Sequence, residues 1–245
     1  FYNSILFFLK ILYVRALKFS SAVIFLTNYA SRMIQNVTGP LKNSEIIPHG
    51  VNNSFRGIKI QKDWGNHPID EIKCVYVSSA APYKHQWHVV RAIKSLRDQG
   101  LPITLTLVGG GSGYSQSRLD KEIAFSDPTG IFVTQYSFIH IDNIPTVLSE
   151  SDLFIFASSC ENMPVTLIEG MASGLPIACS NRGPMPEVLG EGGVYFDPEN
   201  PDSIADSILR LAQSHSLRRE GIKISQQISD QYLWTINSKK TFSFL

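Results

Sequence analysis

The chain has 245 residues, of which 43% are hydrophobic, 18% charged and 11% aromatic. That balance is globular and excludes a disordered, collagen-like or disulfide-scaffolded chain. Twenty-two Lys and Arg against 21 Asp and Glu leave a formal net charge of +1, without the basic excess that a nucleic-acid surface needs. The length suits one large α/β domain plus part of another. Cys74, Cys160 and Cys179 have no metal-ligand spacing and read as reduced thiols of a cytosolic protein. His85 and His88 are the closest of the six histidines. One helical turn apart and with no third ligand nearby, they read as a solvated helix face rather than a metal site.

In chain order, the apolar run Phe1–Leu9 is interrupted by Lys10, Arg15 and Lys18 before it reaches the roughly 20 apolar residues of a membrane span. Its positive charges follow the apolar stretch, the reverse of a signal peptide. Two readings stay open: a helix packed on protein outside this chain, which is favoured, or an amphipathic helix lying on a bilayer. Ala22–Leu26 reads as a buried strand, Asn28 to Asn36 as a helix and Gly39-Pro40 as a turn. Glu45–Val51 reads as a strand, and residues 52–70, punctuated by Gly57, Gly65 and Pro68, as a linker or surface loop.

From Lys73 the pattern alternates regularly. Strands are predicted at Cys74–Ser78, Ile103–Val108, Ile131–Thr134, Asp152–Ala157, Pro176–Cys179 and Val194–Phe196. Helices are predicted at His85–Asp98, Gln116–Phe125, Asn143–Ser149, Val165–Ser173, Asp202–Ser214 and Leu217–Ser229, with a last one beginning near Tyr232. In the first of these, Trp87, Val90, Ile93, Lys94 and Leu96 are placed on the inner face. Short apolar strands alternating with helices mean right-handed βαβ units and a parallel sheet covered on both faces. The fold class is therefore α/β, a Rossmann-like doubly wound sheet, whose ligands bind outside the carboxyl ends of the strands.

Several strand ends carry chemistry. Gly109-Gly110-Gly111 follows a strand, where glycines let backbone N–H groups approach a phosphate. A tight turn before a helix explains it equally well, and the dinucleotide fingerprint is absent because Tyr114 takes its last glycine position. Glu161-Asn162-Met163-Pro164-Val165 leads into a helix that carries Glu169. Pro164 suits a first helical turn. Eight residues of helix span about 12 Å, poor spacing for a glycosidase pair but suited to two contacts along one elongated ligand. On spacing alone, two solvated helix carboxylates are the simpler reading. Lys84, after Ala81-Pro82-Tyr83, could neutralise a phosphate as a point charge. Gly170–Pro176 reads as a helix cap entering a strand.

Taken together and in this order, the segments resemble the C-terminal half of family 4 (group 1) retaining glycosyltransferases of the GT-B fold. The matching stretches are Ile47–Val51, Val77–Lys84, Val108–Gly111, Ser151–Ser158, the glutamate pair, Gly170–Pro176, Pro186–Leu189 and Tyr195–Pro198. The resemblance implies that Glu161 and the amides of Asn162, Met163 and Val165 hold the donor sugar and diphosphate. It implies that Glu169 hydrogen-bonds the nucleotide ribose, that Lys84 meets the diphosphate charge, and that Gly109, Gly110 and Gly111 pass beside the nucleotide. It further implies no metal and no cofactor, a UDP- or GDP-sugar as substrate, and a glycan or lipid-linked acceptor in surface polysaccharide assembly. The expected location is cytoplasmic, with peripheral contact at the inner membrane face through the N-terminal half.

Two departures stand out. Many members carry an arginine about five residues before the lysine, where this chain has Ser78 and Ser79. Only the end of an acceptor-side domain is recognisable, so the chain divides into a remnant (1–45), a donor-binding domain (46–231) and a crossover helix (232–245). Nucleotide-sugar binding is expected from it, with little transfer by this chain alone. The alternatives are a GT-B-fold epimerase or phosphorylase, or a non-catalytic nucleotide-binding domain.

Overall fold

A computed structural model describes residues 2–57 and 71–245. The chain opens with α1 (Tyr2–Phe19), β1 (Val23–Phe25), α2 (Asn28–Thr38) and β2 (Ser44–Ile46). β1 and β2 pair in parallel, Val23 opposite Ser44. After a short 3₁₀ turn (Asn53–Phe55) come β3 (Ile72–Val77), α3 (Gln86–Asp98), β4 (Ile103–Val108), α4 (Gly113–Ser126) and β5 (Val133–Tyr136). Then follow α5 (Ile144–Ser149), β6 (Leu153–Phe156), α6 (Val165–Ser173), β7 (Ile177–Ser180), α7 (Met185–Leu189) and β8 (Val194–Phe196). Three helices end the chain: α8 (Pro201–Gln213), α9 (His215–Ser229) and α10 (Trp234–Phe244).

The main sheet has six strands in the order β5-β4-β3-β6-β7-β8, all parallel. Its centre is buried on both faces, as in the continuous apolar runs Leu153–Phe156 and Ile177–Cys179, which is what a covered parallel sheet selects. The chain starts in the middle at β3, builds outward to β5, then returns beside β3 as β6. That reversal is the topological switch point, where doubly wound sheets bind ligands. The doubly wound α/β prediction therefore holds.

Several boundaries move for local reasons. The predicted strand at Ile131 starts instead at Val133 because the Asp127 carboxylate accepts from the amides of Ile131, Phe132 and Val133 at 2.9, 2.7 and 2.8 Å. Burial alone would raise that carboxyl, but the three amides and Arg97 hold it below the ordinary value. The predicted strand Glu45–Val51 stops at Ile46, ahead of Pro48, and Val51 pairs instead with Leu233. Of the predicted 52–70 linker, 58–70 lies outside the described residues, and Phe55 is core rather than surface. Lys94, predicted on the inner face of α3, points outward to Asp98 at 2.5 Å. The histidine pair is not a solvated face either: His85 is buried, and its ring stacks on the half-buried His88 with centroids 5.4 Å apart.

The first segment docks onto the sheet domain through the start of α2. Thr27 accepts from the Ala30 amide as N-cap and donates to the Asn162 carbonyl at 3.1 Å. The Glu187 carboxylate on α7 accepts from the amides of Asn28 and Tyr29 at 2.6 and 2.7 Å. An acceptor anion at a helix N-terminus satisfies donors that the helix cannot. At the other end, α10 lies against the 47–51 segment: the Val51 amide donates to Tyr232 O at 2.9 Å and Asn237 Nδ2 to Pro48 O at 2.8 Å. Among the described residues, no helix is long and apolar enough to cross a membrane. On α1, Phe8, Tyr13 and Phe19 are exposed.

Candidate functional site

The loops leaving β3 and β6 meet at the switch point. Pro82–Lys84 forms a 3₁₀ turn with the proline at its start, and it delivers the Lys84 ammonium onto Oε1 of Glu161. The lysine and glutamate side chains are only 12% and 15% exposed. The ammonium also stands 5.3 Å from the Tyr83 ring and 5.6 Å from the Phe156 ring, both within cation–π reach. Tyr76 fixes the backbone there by donating its hydroxyl to Lys84 O at 2.9 Å. Burial pushes the Tyr76 phenol far above its ordinary value, so it stays a neutral donor.

Glu169 sits on α6, eight residues after Glu161. The residue is 8% exposed, and no hydrogen bond or ion pair reaches its carboxylate among the described residues. Burial pushes its carboxyl up to about 7. A carboxylate in that condition is costly to keep charged and is a ready acceptor for hydroxyl groups brought by a ligand.

Between the two glutamates, the Asn162 and Met163 amides make no hydrogen bond among the described residues, whereas the Val165 amide donates to Met163 O at 3.0 Å. Of the three amides expected to face a ligand, two are open and one is engaged. Met163 packs its side chain into the core while Asn162 is exposed.

The glycine loop has a structural reason of its own. Gly109 has φ 115°, and a Cβ there would come within 2.3 Å of Ser78 O. A Cβ on Gly111 would come within 3.0 Å of Ala80. The loop after β4 thus packs directly on the loop after β3, closed by Ala80 N to Gly110 O at 3.2 Å. The three glycine amides are engaged as well, by Tyr136 O, Ser137 O and Gln116 Oε1 at 2.9 Å or less. Gly109, Gly110 and Gly111 therefore pack the loop after β4 against its neighbours and offer no open amide for a phosphate. Two further residues of this region belong to no motif in the sequence. Ser159 bridges the two loops, and Thr27, from the first segment, touches the donor-side loop at Asn162.

The sequence profile of the glycosyl transferases group 1 matches residues 58–227. The chain belongs to this family. It is 24% identical over 228 residues to O-antigen chain mannosyltransferase B of Escherichia coli, covering 90% of this chain and 58% of that protein. It is 37% identical over 162 residues to spore coat protein SA of Bacillus subtilis, covering 62% of this chain and 42% of that protein. Among solved structures, sucrose-phosphate synthase from Thermosynechococcus elongatus superposes with a TM-score of 0.79 at 20% identity, over 96% of this chain and 60% of that one. Anabaena HepE in complex with UDP and glucose gives 0.78 at 20% identity, over 94% and 65%. These likenesses show a shared GT-B fold. This group 1 chain spans less than two thirds of the length of the relatives it matches first.

Proposed function

We propose that this chain is the donor-binding half of a retaining hexosyltransferase that takes a UDP- or GDP-sugar. The observation that carries the reading is the sequestered Lys84–Glu161 pair at the switch point, followed on α6 by Glu169, a buried carboxylate without a protein partner among the described residues. The HepE complex contains UDP and glucose, which supports a nucleotide sugar as ligand of this fold.

In this reading the ribose hydroxyls donate to Glu169, and the hydrogen bonds they bring offset its desolvation. The diphosphate lies at the start of α6, where the helix dipole and the open amides of Asn162 and Met163 favour an anion. Lys84 supplies the balancing charge and stabilises the nucleoside diphosphate as its bond to the anomeric carbon breaks. Glu161 holds Lys84 in place and orients the sugar. The bond from the acceptor oxygen to the anomeric carbon forms on the face that the diphosphate leaves, and the acceptor hydroxyl proton departs with it. With Lys84 carrying the cationic role, transfer requires no divalent metal and no cofactor.

Residues 1–45 are then the end of an acceptor-side domain, 46–231 the donor domain and 232–245 the crossover helix. The acceptor is a glycan or lipid-linked glycan of surface polysaccharide assembly, handled on the cytoplasmic side, with the exposed apolar and basic residues of α1 facing protein or membrane. The test is sugar transfer by the complete enzyme in the presence of a chelator, with the product's anomeric configuration read by NMR. Retained configuration and undiminished turnover are expected. Inversion, or loss of activity restored by a divalent metal, would contradict the reading.

A further inference from the structure

We propose that His85 and Ser159 form a positioning pair that holds Lys84 against Glu161. Among the described residues, His85 is the one non-glycine residue in the left-handed region, with φ 50° and ψ 30°. Backbone strain of this kind persists only where the surroundings over-determine it. His85 also occupies the N-cap position of α3, yet its side chain makes no capping hydrogen bond. A serine or aspartate there would serve the helix better. The imidazole turns instead to the loop after β6, where Nε2 lies 2.8 Å from Ser159 Oγ. Its other nitrogen, Nδ1, is buried without a partner.

Ser159 completes the grip from the other side. Its amide donates to Tyr83 O at 2.8 Å, and its hydroxyl stands 3.4 Å from the same oxygen. The neighbours of Lys84 on both sides, Tyr83 and His85, are thus held by one serine, while Tyr76 holds the Lys84 carbonyl. Ser159 lies two residues before Glu161, so the strand-end loop that presents the carboxylate also fixes the turn that presents the ammonium. A hydrogen-bonded tie of this length sets the register of two loops that the sheet alone would leave free to shift.

The functional side of this inference rests on the proposed role of Lys84 at the diphosphate, whereas its geometric side does not. Two measurements separate them. The first needs no ligand: acetylation of Lys84 by acetic anhydride, followed by mass spectrometry in the wild type, Ser159→Ala and His85→Gly. Glycine relieves the backbone strain while removing the imidazole. Lys84 is expected to react about two- to tenfold faster in both variants, the equivalent of one hydrogen bond, with the other lysines unchanged. Unchanged Lys84 reactivity would overturn the proposal.

The second measurement is calorimetric titration with UDP-glucose and with GDP-mannose of Ser159→Ala, Lys84→Ala and the double variant. Ser159→Ala is expected to weaken the bound donor about two- to tenfold, and to have no further effect once Lys84 is gone. An equal loss in both backgrounds would overturn the proposal, because Ser159 would then act independently of Lys84. If Lys84→Ala leaves donor binding unaltered, the assignment of Lys84 to the diphosphate fails, and the acetylation result alone decides the positioning role.

Discussion

Glu161 and Glu169 stand eight residues apart on the segment that follows β6, and their carboxylates are in opposite conditions. Glu161 lies in the loop after β6 and spends its charge on Lys84. Glu169 lies on α6, buried, without a partner, its carboxyl pushed up to about 7. One is a preassembled ion pair; the other has no protein partner among the described residues. Desolvation makes both arrangements expensive, and both lie on the segment that leaves β6 at the switch point. The difference suggests a division of labour. In the proposed reading the pair receives a charged group, and the lone carboxylate receives neutral hydroxyls that complete its hydrogen bonding.

The contrast can be broken most forcefully at Glu161. In the complete enzyme, Glu161→Ala is expected to cut transfer by about 10²–10⁴, the range of a positioned acid, base or orienting group. An unaltered rate would remove Glu161 from the chemistry. Next in size, Lys84→Ala should weaken a nucleoside diphosphate about ten- to a hundredfold, as expected for a charge-assisted contact. The corresponding nucleoside should bind as before, which calorimetry can resolve.

Glu169 should behave in a way that no purely structural residue would. Its native carboxyl keeps a proton up to about pH 7, against an ordinary value of 4.5. Between those values the native state binds more protons than the unfolded state. Stability from this group therefore falls as pH rises, and the cost is fully present above pH 7. Glu169→Gln should remove that cost, stabilising the protein by at most about 3 kcal/mol at pH 8 and by nothing measurable at pH 4. The same variant should weaken a UDP- or GDP-sugar about tenfold. It should also flatten a wild-type affinity that rises as pH passes upward through 7. Greater stability together with weaker binding marks a group retained for a ligand. Chemical denaturation at the two pH values and titrations across the range would show it.

The smallest expected effect lies at Glu187, which receives the first turn of α2. Glu187→Ala should cost about 1 kcal/mol and loosen the contact between Thr27 and Asn162. A fall in hydrogen-exchange protection confined to α2 and the 161–164 loop would record it.

Much of this arrangement was legible in the sequence because it depends on periodicity. The alternation at Ile103–Val108 and the apolar run Leu153–Phe156 read as strands of a covered parallel sheet, and their order placed Lys84 and Glu161 at strand ends. What the sequence hid depends on contacts between distant segments. Whether Glu161 is paired and Glu169 unpaired depends on which side chains the fold brings together, and on spacing alone both read as solvated carboxylates. The start of β5 was masked by the Asp127 carboxylate, an acceptor acting four to six residues downstream. Pro48 gave a signal against a strand running through to Val51. The packing role of Gly109 and Gly111 was invisible because a loop that approaches another backbone and a loop that cradles a phosphate call for the same residue.

The most direct test is a titration, in the presence of a chelator, of UDP, GDP, UDP-glucose and GDP-mannose against the wild type and Glu169→Ala. Selective binding of one nucleotide family, lost in the variant while the fold is retained, is the expected result. Equal binding by wild type and variant, or binding that appears only with added divalent metal, would contradict the assignment of the nucleotide site to Glu169.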